Sequence, residues 1–493
     1  MEQEEILKKY MTKQKTKTIR LLPVLHKAKK LFGEISISVQ KMIAKGMDIP
    51  LSEVAAATTF YSAFNGMDDG VAQLEFLHLP EFHQGQMKWI LDHPAGYPAI
   101  RKFLAGHMDL ITMLRDAKVY GKSGSGFSVA NKWDLTKNTE SELKYIVCNG
   151  SEGEGNTFKD MVLLSKASSV IIEGMVLCAL ETGIKEGFIY VRAEYEYLFS
   201  CVEQAIQYAY QAGALGEDIF GSGRSFHLEA VLGGGAYISG EETGLLQALE
   251  GKRSEPRLKP PYPGISGLFG RPTIINNVES FAAAASLALH GVEEFLTIGT
   301  ASAGGSKLFT VCGAVKNPGI YEIPHSMTIA QLLEIAGGTS DNQAMKGFQI
   351  GGGATGCFGN MEQMNTVLDY AGCKNSGLTL GTASIYFIPE EESVVQLALE
   401  SVNFLKSQSC GMCTACREGL PELFNKLTQL CIHTGTEETL IQVEKLCNYI
   451  AENARCALGQ ASTTSVLTAR TAFPKEFEVL LQKETIPYEY SRL

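Results

Sequence analysis

The 493-residue chain has no excess of positive charge: 43 Lys and Arg against 54 Asp and Glu give a net charge of −11. That excludes the broad basic patch a nucleic-acid binder needs. The basic opening stretch Lys8–Arg20 is offset elsewhere and reads as a solvated helix end or tail. An apolar signal core is missing from the first twenty residues, so no secretory leader is expected. Nor is there a run of about 18 uncharged apolar residues, so no membrane span is expected. The nearest candidate, Val170–Leu180, is interrupted by Glu173 and reads as a buried or amphipathic helix.

Cysteine is absent before Cys148 and after Cys456. Of the 12 cysteines, three fall within seven residues and the rest are scattered. A disulfide framework belongs to short secreted chains, and this chain is long and has no leader. A reduced, cytoplasmic, metal-binding protein is the expectation.

What is present begins with length, enough for two to four domains at ~150 residues each. Residues 1–65 read as helical, with Leu21, Leu22, Leu25, Ala28 and Leu31 at helical spacing and Ser52 as an N-cap. Residues 66–120 read as polar, mixed helical segments. The centre alternates strands (145–148, 187–191, 227–232) with helices (165–182, 194–212, 240–250), the pattern of a parallel sheet covered by helices. Residues 251–285 are rich in Pro and Gly and predict a long ordered loop or domain connection. Residues 306–390 carry strand signals at 307–313, 347–350 and 384–388 around one helix at 328–336, a small α+β module. From Glu391 to about Leu481 the pattern is helical.

Ser409-Cys410-Gly411-Met412-Cys413-Thr414-Ala415-Cys416 is a C-x2-C-x2-C run. This spacing lets one loop place thiolates on three corners of an iron–sulfur cube, most simply [4Fe–4S]. Zinc more often takes two separated CxxC pairs or adds histidine. The fourth ligand comes from Cys431, Cys447 or Cys456. The first two lie in apolar helical surroundings, and Cys456, before Ala457-Leu458-Gly459 at a helix end, is the best assignment.

Three glycine-rich loops follow the same logic of close backbone approach. Gly121-Lys122-Ser123-Gly124-Ser125-Gly126-Phe127 precedes Lys132-Trp133, and its lysines can neutralise a phosphate. It is neither a Walker A loop nor a well-placed dinucleotide fingerprint. Cys148-Asn149-Gly150-Ser151-Glu152-Gly153-Glu154-Gly155 follows a strand, and its carboxylates can bind ribose hydroxyls or a flavin edge. Gly233–Gly235 leads through Tyr237 and Gly240-Glu241-Glu242-Thr243 into a helix N-terminus, a natural anion seat. With Asn276-Asn277, these loops point to a nucleotide or flavin pocket.

The segments Gly121–Trp133, Cys148–Asp160, Gly235–Glu279 (with Leu-Glu-Gly-Lys-Arg, Pro-Arg-Leu-Lys-Pro-Pro and Ile-Asn-Asn-Val-Glu) and Ser409–Gly419 resemble the NADH-binding flavoprotein subunit of respiratory complex I. They equally resemble its relatives in soluble hydrogenases and formate dehydrogenases. The likeness runs from about residue 80 to 480. It implies an α/β fold: a Rossmann-like FMN domain, a β-grasp-like module and a C-terminal helical bundle carrying the cluster. The implied divisions are 1–75, 76–297, 298–390 and 391–493. The implied activity is hydride exchange between NAD(H) or NADP(H) and FMN, with single electrons leaving through the cluster.

Carried over residue by residue, Gly121, Gly124, Lys132, Asn149, Gly240, Asn276 and Asn277 would hold FMN. Phe127, Glu152, Glu154, Tyr237, Glu241, Glu242, Lys259 and Tyr262 would border the dinucleotide, with Glu152 and Glu242 in catalytic roles. Cys410, Cys413, Cys416 and Cys456 would hold the cluster. The chain departs from the family pattern at several points: Lys122-Ser123 stands for Arg-Gly, Ser128 for proline, Leu135 for an aromatic that stacks on adenine, and Ser151 for an aspartate beside the flavin. Ser151 and Leu135 motivate a second reading, a degenerate paralogue serving only as cluster relay and scaffold.

Leu21–Ala28 and Ala57–Tyr61 resemble the helical part of the thioredoxin-like [2Fe–2S] partner subunit, here without cysteine. The expected partners are therefore other redox subunits: such a [2Fe–2S] subunit and a hydrogenase, formate dehydrogenase or similar catalytic subunit.

Overall fold

The computed structural model describes residues 2–65, 89–106, 108–124, 126–340 and 344–481. Residues 66–88 and 107 of the stretch expected as polar helices, the division drawn at residue 75, and Ser125 of the first glycine loop lie outside the described residues.

Four parallel strands form the first sheet: β1 (Tyr145–Gly150), β2 (Glu186–Val191), β3 (His227–Leu232) and β4 (Thr273–Asn277), in the order β3-β2-β1-β4. Alternate residues face opposite layers, as the two-residue period of a strand requires. Ile146, Cys148, Ile189, Val191 and Ile274 face the helices Lys159–Lys166, Ser168–Thr182, Glu196–Gln211 and Val278–His290. Tyr145, Val147, Phe188, Tyr190, Val231 and Ile275 face the N-terminal helices Glu2–Gln14, Leu21–Phe32, Ile37–Met47 and Leu51–Phe60. The N-terminal segment is thus the second covering layer of this chain's own sheet. Burying both faces of a parallel sheet is what makes it stable.

Several elements differ from the sequence expectation. The fourth N-terminal helix starts at Leu51, not after Ser52, because the Pro50 carbonyl already accepts from Glu53 and Val54 N–H. The helix expected over 165–182 is two helices bent by 91° at Ala167. The loop expected over 251–285 ends at Pro272, where β4 and then the helix Val278–His290 begin. β4 escaped notice because Thr-Ile-Ile-Asn-Asn is short and polar at one end.

A second sheet has the order β6-β5-β9-β7-β8, with β5 (Ser306–Gly313), β6 (Gly319–Pro324), β7 (Met345–Ile350), β8 (Cys357–Asn360) and β9 (Ser384–Pro389). β5 pairs parallel with β9; the other pairs are antiparallel. Helix Ile329–Ile335, opened by a capping box at Thr328, packs Ile329 and Leu332 into its core. β6, β8 and the helix Tyr370–Asn375 were not expected. From Val394 onward the chain is helical, around a core that includes Leu399, Leu423, Leu427, Cys447 and Ile450. Among the described residues no single helix is long and apolar enough to cross a membrane.

Candidate functional site

The cysteine run lies between the helices Val394–Ser407 and Gly419–Cys431. Gly411 takes φ +75°, which turns the loop back on itself. Cys456 is the N-cap of the helix Ala457–Ala461 and faces this loop. Cys410, Cys413, Cys416 and Cys456 line one partly open cavity of about 480 Å³. Cys431 and Cys447 do not line it; Cys447 is fully buried in the helical core.

The cavity fits a cluster by two observations. A Cβ added to Gly459 would sit 2.7 Å from Cys416 Sγ and 3.9 Å from Cys456 Sγ, so the absence of a side chain there keeps space open between two sulfurs. Backbone N–H groups also face sulfur: Met412 at Cys410, Arg455 and Cys416 at Cys413, Leu458 and Gly459 at Cys456. Such donors stabilise thiolate sulfur and tune a bound cluster. Burial pushes the Cys456 thiol up to about 11 and the Cys416 thiol higher still. At Cys413 burial also raises the thiol, but the backbone donors of Arg455 and Cys416 outweigh it and hold it below its ordinary value. Among the described residues no three His, Cys, Asp or Glu side chains converge on a point that would hold a single metal ion. Donors spread around a cavity suit the corners of a cube better than a mononuclear zinc.

The second site is at the carboxyl ends of β1 and β4. The chain runs from β1 outward through β2 to β3, then returns to place β4 on the other side of β1. Ligands of open α/β sheets bind at such a switch point. Asn149 on β1 donates its Nδ2 to the Gly240 carbonyl at 2.9 Å, and its Oδ1 accepts from Ser151 N–H at 3.0 Å. Asn276 on β4 accepts from Trp133 Nε1 at 2.9 Å. Asn277 caps the helix Val278–His290, accepting from Glu279 N–H and from Lys159 Nζ at 2.9 Å, while its amide donates to Asp160.

Lys132 reaches the same place. Its Nζ is 2.7 Å from Glu242 Oε2 and 3.2 Å from the Ile275 carbonyl. Lys259 Nζ meets Glu242 Oε1 at 2.7 Å and Glu241 Oε1 at 2.9 Å. Burial works against ionisation of Glu242, but the two lysines outweigh it and hold the carboxyl down to about 2. Phe127, Leu135 and Tyr262, three residues expected near the nucleotide, are 49%, 41% and 52% exposed. Lys132 lies 6.0 Å from the Phe127 ring centroid.

Two expectations are corrected here. Lys122 is not a phosphate ligand: it is 2% exposed and its Nζ is committed to the Ser306 carbonyl at 3.0 Å and His325 Nε2 at 2.8 Å. The start of the helix Glu242–Leu249 is not an open anion seat, because the Glu241 carboxylate already accepts from Thr243 and Gly244 N–H. Gly121 and Gly124 form a tight loop: Gly121 N–H donates to the Phe127 carbonyl, and a Cβ on Gly124 would meet Gly381 backbone at 3.1 Å.

Of the remaining carboxylates, Glu152 is buried and Glu154 half-buried. Glu152 accepts from Asp160 and Met161 N–H at the start of the helix Lys159–Lys166 and from the Tyr195 hydroxyl at 3.2 Å, and burial raises its carboxyl. Glu154 accepts from the Tyr237 hydroxyl at 2.6 Å and from Ala354 and Thr355 N–H of the second sheet's module. Tyr237 also lines the cysteine cavity. Tyr237 therefore links the loop of Glu154 to the cysteine cavity. Sequence reasoning gave no role to Lys159, Asp160, Glu279 and Lys307, a fully buried ion cluster behind Asn277. Two of its members, Asp160 and Glu279, closed motifs already singled out, but nothing local marks a charge as buried.

Comparisons with known proteins agree with this arrangement. Residues 114–286 match the Nuo51 FMN-binding domain, 308–361 the SLBB domain, and 396–480 the NADH-ubiquinone oxidoreductase-F iron–sulfur binding region. Residues 4–77 match the thioredoxin-like [2Fe-2S] ferredoxin family. One of the NADH-quinone oxidoreductase F subunits of Rhizobium meliloti is 35% identical over 80% of this chain and 94% of its own. The HndC subunit of the NADP-reducing hydrogenase of Solidesulfovibrio fructosivorans is 33% identical over 80% of each chain. A chain of the NAD+-reducing [NiFe]-hydrogenase in its H2-reduced state superposes with a TM-score of 0.83 over 94% of both chains at 24% identity, which is a likeness of fold. The chain belongs to the family of FMN- and [4Fe–4S]-binding flavoproteins that includes the F subunits of NADH-quinone oxidoreductases and their hydrogenase relatives.

Proposed function

We propose that this chain exchanges a hydride between NADH or NADPH and FMN and passes single electrons through a [4Fe–4S] cluster to partner redox subunits. The observation that carries it is Tyr237: its hydroxyl binds Glu154, expected to border the dinucleotide, and the residue lines the cavity of the four cysteines. When bound, FMN and the cluster together supply the conversion of a two-electron donor into one-electron steps.

The chain's own residues bind and orient. Gly121, Gly124, Lys132, Asn149, Gly240, Asn276 and Asn277 serve FMN. The half-buried Lys132 ammonium and the pre-positioned Asn149 and Asn276 amides make polar groups available at the sheet's switch point without reorganisation. Phe127, Glu154, Tyr237, Glu241, Lys259 and Tyr262 border the dinucleotide. Glu242, kept ionised between two lysines, is suited to accept from ribose hydroxyls. Glu152, expected to border the dinucleotide in a catalytic role, is buried against a helix start, which suits it instead to holding the loop that carries Glu154. Cys410, Cys413, Cys416 and Cys456 ligate the cluster. We read the divisions as 1–75, 76–297, 298–390 and 391–493. The partners are a thioredoxin-like [2Fe–2S] subunit and a hydrogenase, formate dehydrogenase or similar catalytic subunit, and the compartment is the cytoplasm.

Anaerobic purification followed by FMN assay and dinucleotide-dependent dye reduction tests this reading. Bound flavin with dye reduction is expected; a flavin-free chain with neither activity would leave only the relay reading that Ser151 and Leu135 suggest.

A further inference from the structure

The run Gly233-Gly234-Gly235 leaves β3 and leads to Tyr237, Glu241 and Glu242. Its glycines are explained by contact with protein. A Cβ on Gly233 would lie 2.3 Å from the Tyr190 hydroxyl oxygen, one on Gly234 2.4 Å from Tyr61 Cγ, and one on Gly235 2.3 Å from Ser62 Oγ. Gly235 also has φ +78°, which disfavours any side chain. Two of these three contacts come from the N-terminal segment.

The same segment takes every carbonyl of the turn. Ser62 N–H donates to the Gly235 carbonyl and Ala63 N–H to the Gly234 carbonyl, both at 3.1 Å, and the Ser62 hydroxyl adds a bond of 3.0 Å to Gly235. His26 Nε2 is 2.7 Å from the Gly233 carbonyl. A carbonyl only accepts, so Nε2 carries the proton. Beyond the turn, the Tyr61 hydroxyl donates to the Lys252 carbonyl and meets Ser254 Oγ at 3.1 Å; Ser254 in turn meets Ser239 Oγ at 2.7 Å. The stretch that presents Tyr237 and Glu241 is therefore pinned at both ends.

We propose that His26, Tyr61 and Ser62 are positioning residues of the dinucleotide site. Three consecutive glycines form the least constrained backbone the chain could have at this point. Left to itself such a turn would have to be ordered on binding, at a cost in affinity. The helical segment, whose family resemblance is to a cluster protein's docking half, removes that cost by ordering the turn beforehand. This inference rests on the assignment of Tyr237, Glu241 and Glu242 to the dinucleotide made above.

The test uses the full chain with its cofactors in its native complex. His26→Ala and Tyr61→Phe each remove hydrogen bonds without touching the site. Each is expected to raise KM for the dinucleotide about fivefold, the weight of one net hydrogen bond, with kcat, FMN content and cluster absorbance unchanged. His26→Gln, which returns an Nε2 donor, should restore KM, and Ile37→Ala on an exposed face of the same segment should match the parent. Amide hydrogen exchange over residues 233–242 should rise in His26→Ala. A merely structural role would lower melting temperature and leave KM of the folded protein alone. Unchanged KM and exchange in both variants, with an active parent, would overturn this inference by itself. A parent with no dinucleotide-dependent dye reduction would overturn the dinucleotide assignment and this inference together.

Discussion

Glu279 has no exposed surface, yet it stays ionised. Burial alone would raise its carboxyl, but Lys307 and Lys159 outweigh it and hold it down to about 2. The pair's partners come from β5 and from the helix Lys159–Lys166, so the cluster ties the two sheets together. Removing one member of a buried ion pair strands the other. Glu279→Gln is expected to cost about 3–5 kcal/mol in chemical denaturation. The sign with pH follows: a carboxyl lowered on folding adds stability that is complete above about pH 5 and is lost as pH falls towards 2. Denaturation midpoints measured against pH should therefore fall more steeply in the parent than in Glu279→Gln. At this scale legibility was uneven. The cysteine run could be read because its ligands are three residues apart in one loop. Lys122 misled because a lysine in a glycine-rich loop looks solvated, and only the fold shows it turned onto Ser306 and His325.

Between elements, close approach is set by small residues. Helices Ser168–Thr182 and Val278–His290 pack at Gly174, where an added Cβ would lie 1.9 Å from the Phe281 carbonyl oxygen. Gly174→Ala is expected to destabilise by about 1–3 kcal/mol in a thermal or urea melt while leaving flavin and cluster content intact. Strands β1, β2 and β3 were visible as apolar runs, the first and third leading into glycine-rich turns. β4 was hidden behind prolines, and it carries Asn276 and Asn277, so the switch point itself was not legible. The bend at Ala167 was missed because no proline or glycine marks the break. Edge strands β6 and β8 are short, and each pairs on one side only, with the strand just before it in the chain, so local alternation gives a weak signal.

For the whole molecule, the loop that follows β1 is tied both to the second module and to the cysteine cavity. The loop of Glu154 reaches from the first sheet into the second module, and Tyr237 reaches from the glycine turn to the cysteine cavity. Cys456 closes that cavity and Cys447 does not line it. Cys456→Ala should therefore abolish the cluster's visible absorbance and iron content while FMN remains, and Cys447→Ala should keep both at the cost of a small core cavity. The N-terminal segment resembled part of another subunit in sequence; in the fold its apolar faces cover this chain's own sheet.

The central claim is that a flavin site and a cluster site work in series within this chain. Its most direct measurement is the anaerobic titration of the purified complex with NADH and, separately, NADPH, following FMN content, cluster absorbance and reduction of an artificial dye. The account predicts bound FMN, a [4Fe–4S] cluster that is reduced when dinucleotide is added, and dye reduction that Cys456→Ala uncouples from the partner subunits. A chain that binds no FMN, and whose cluster responds to neither dinucleotide, would contradict it.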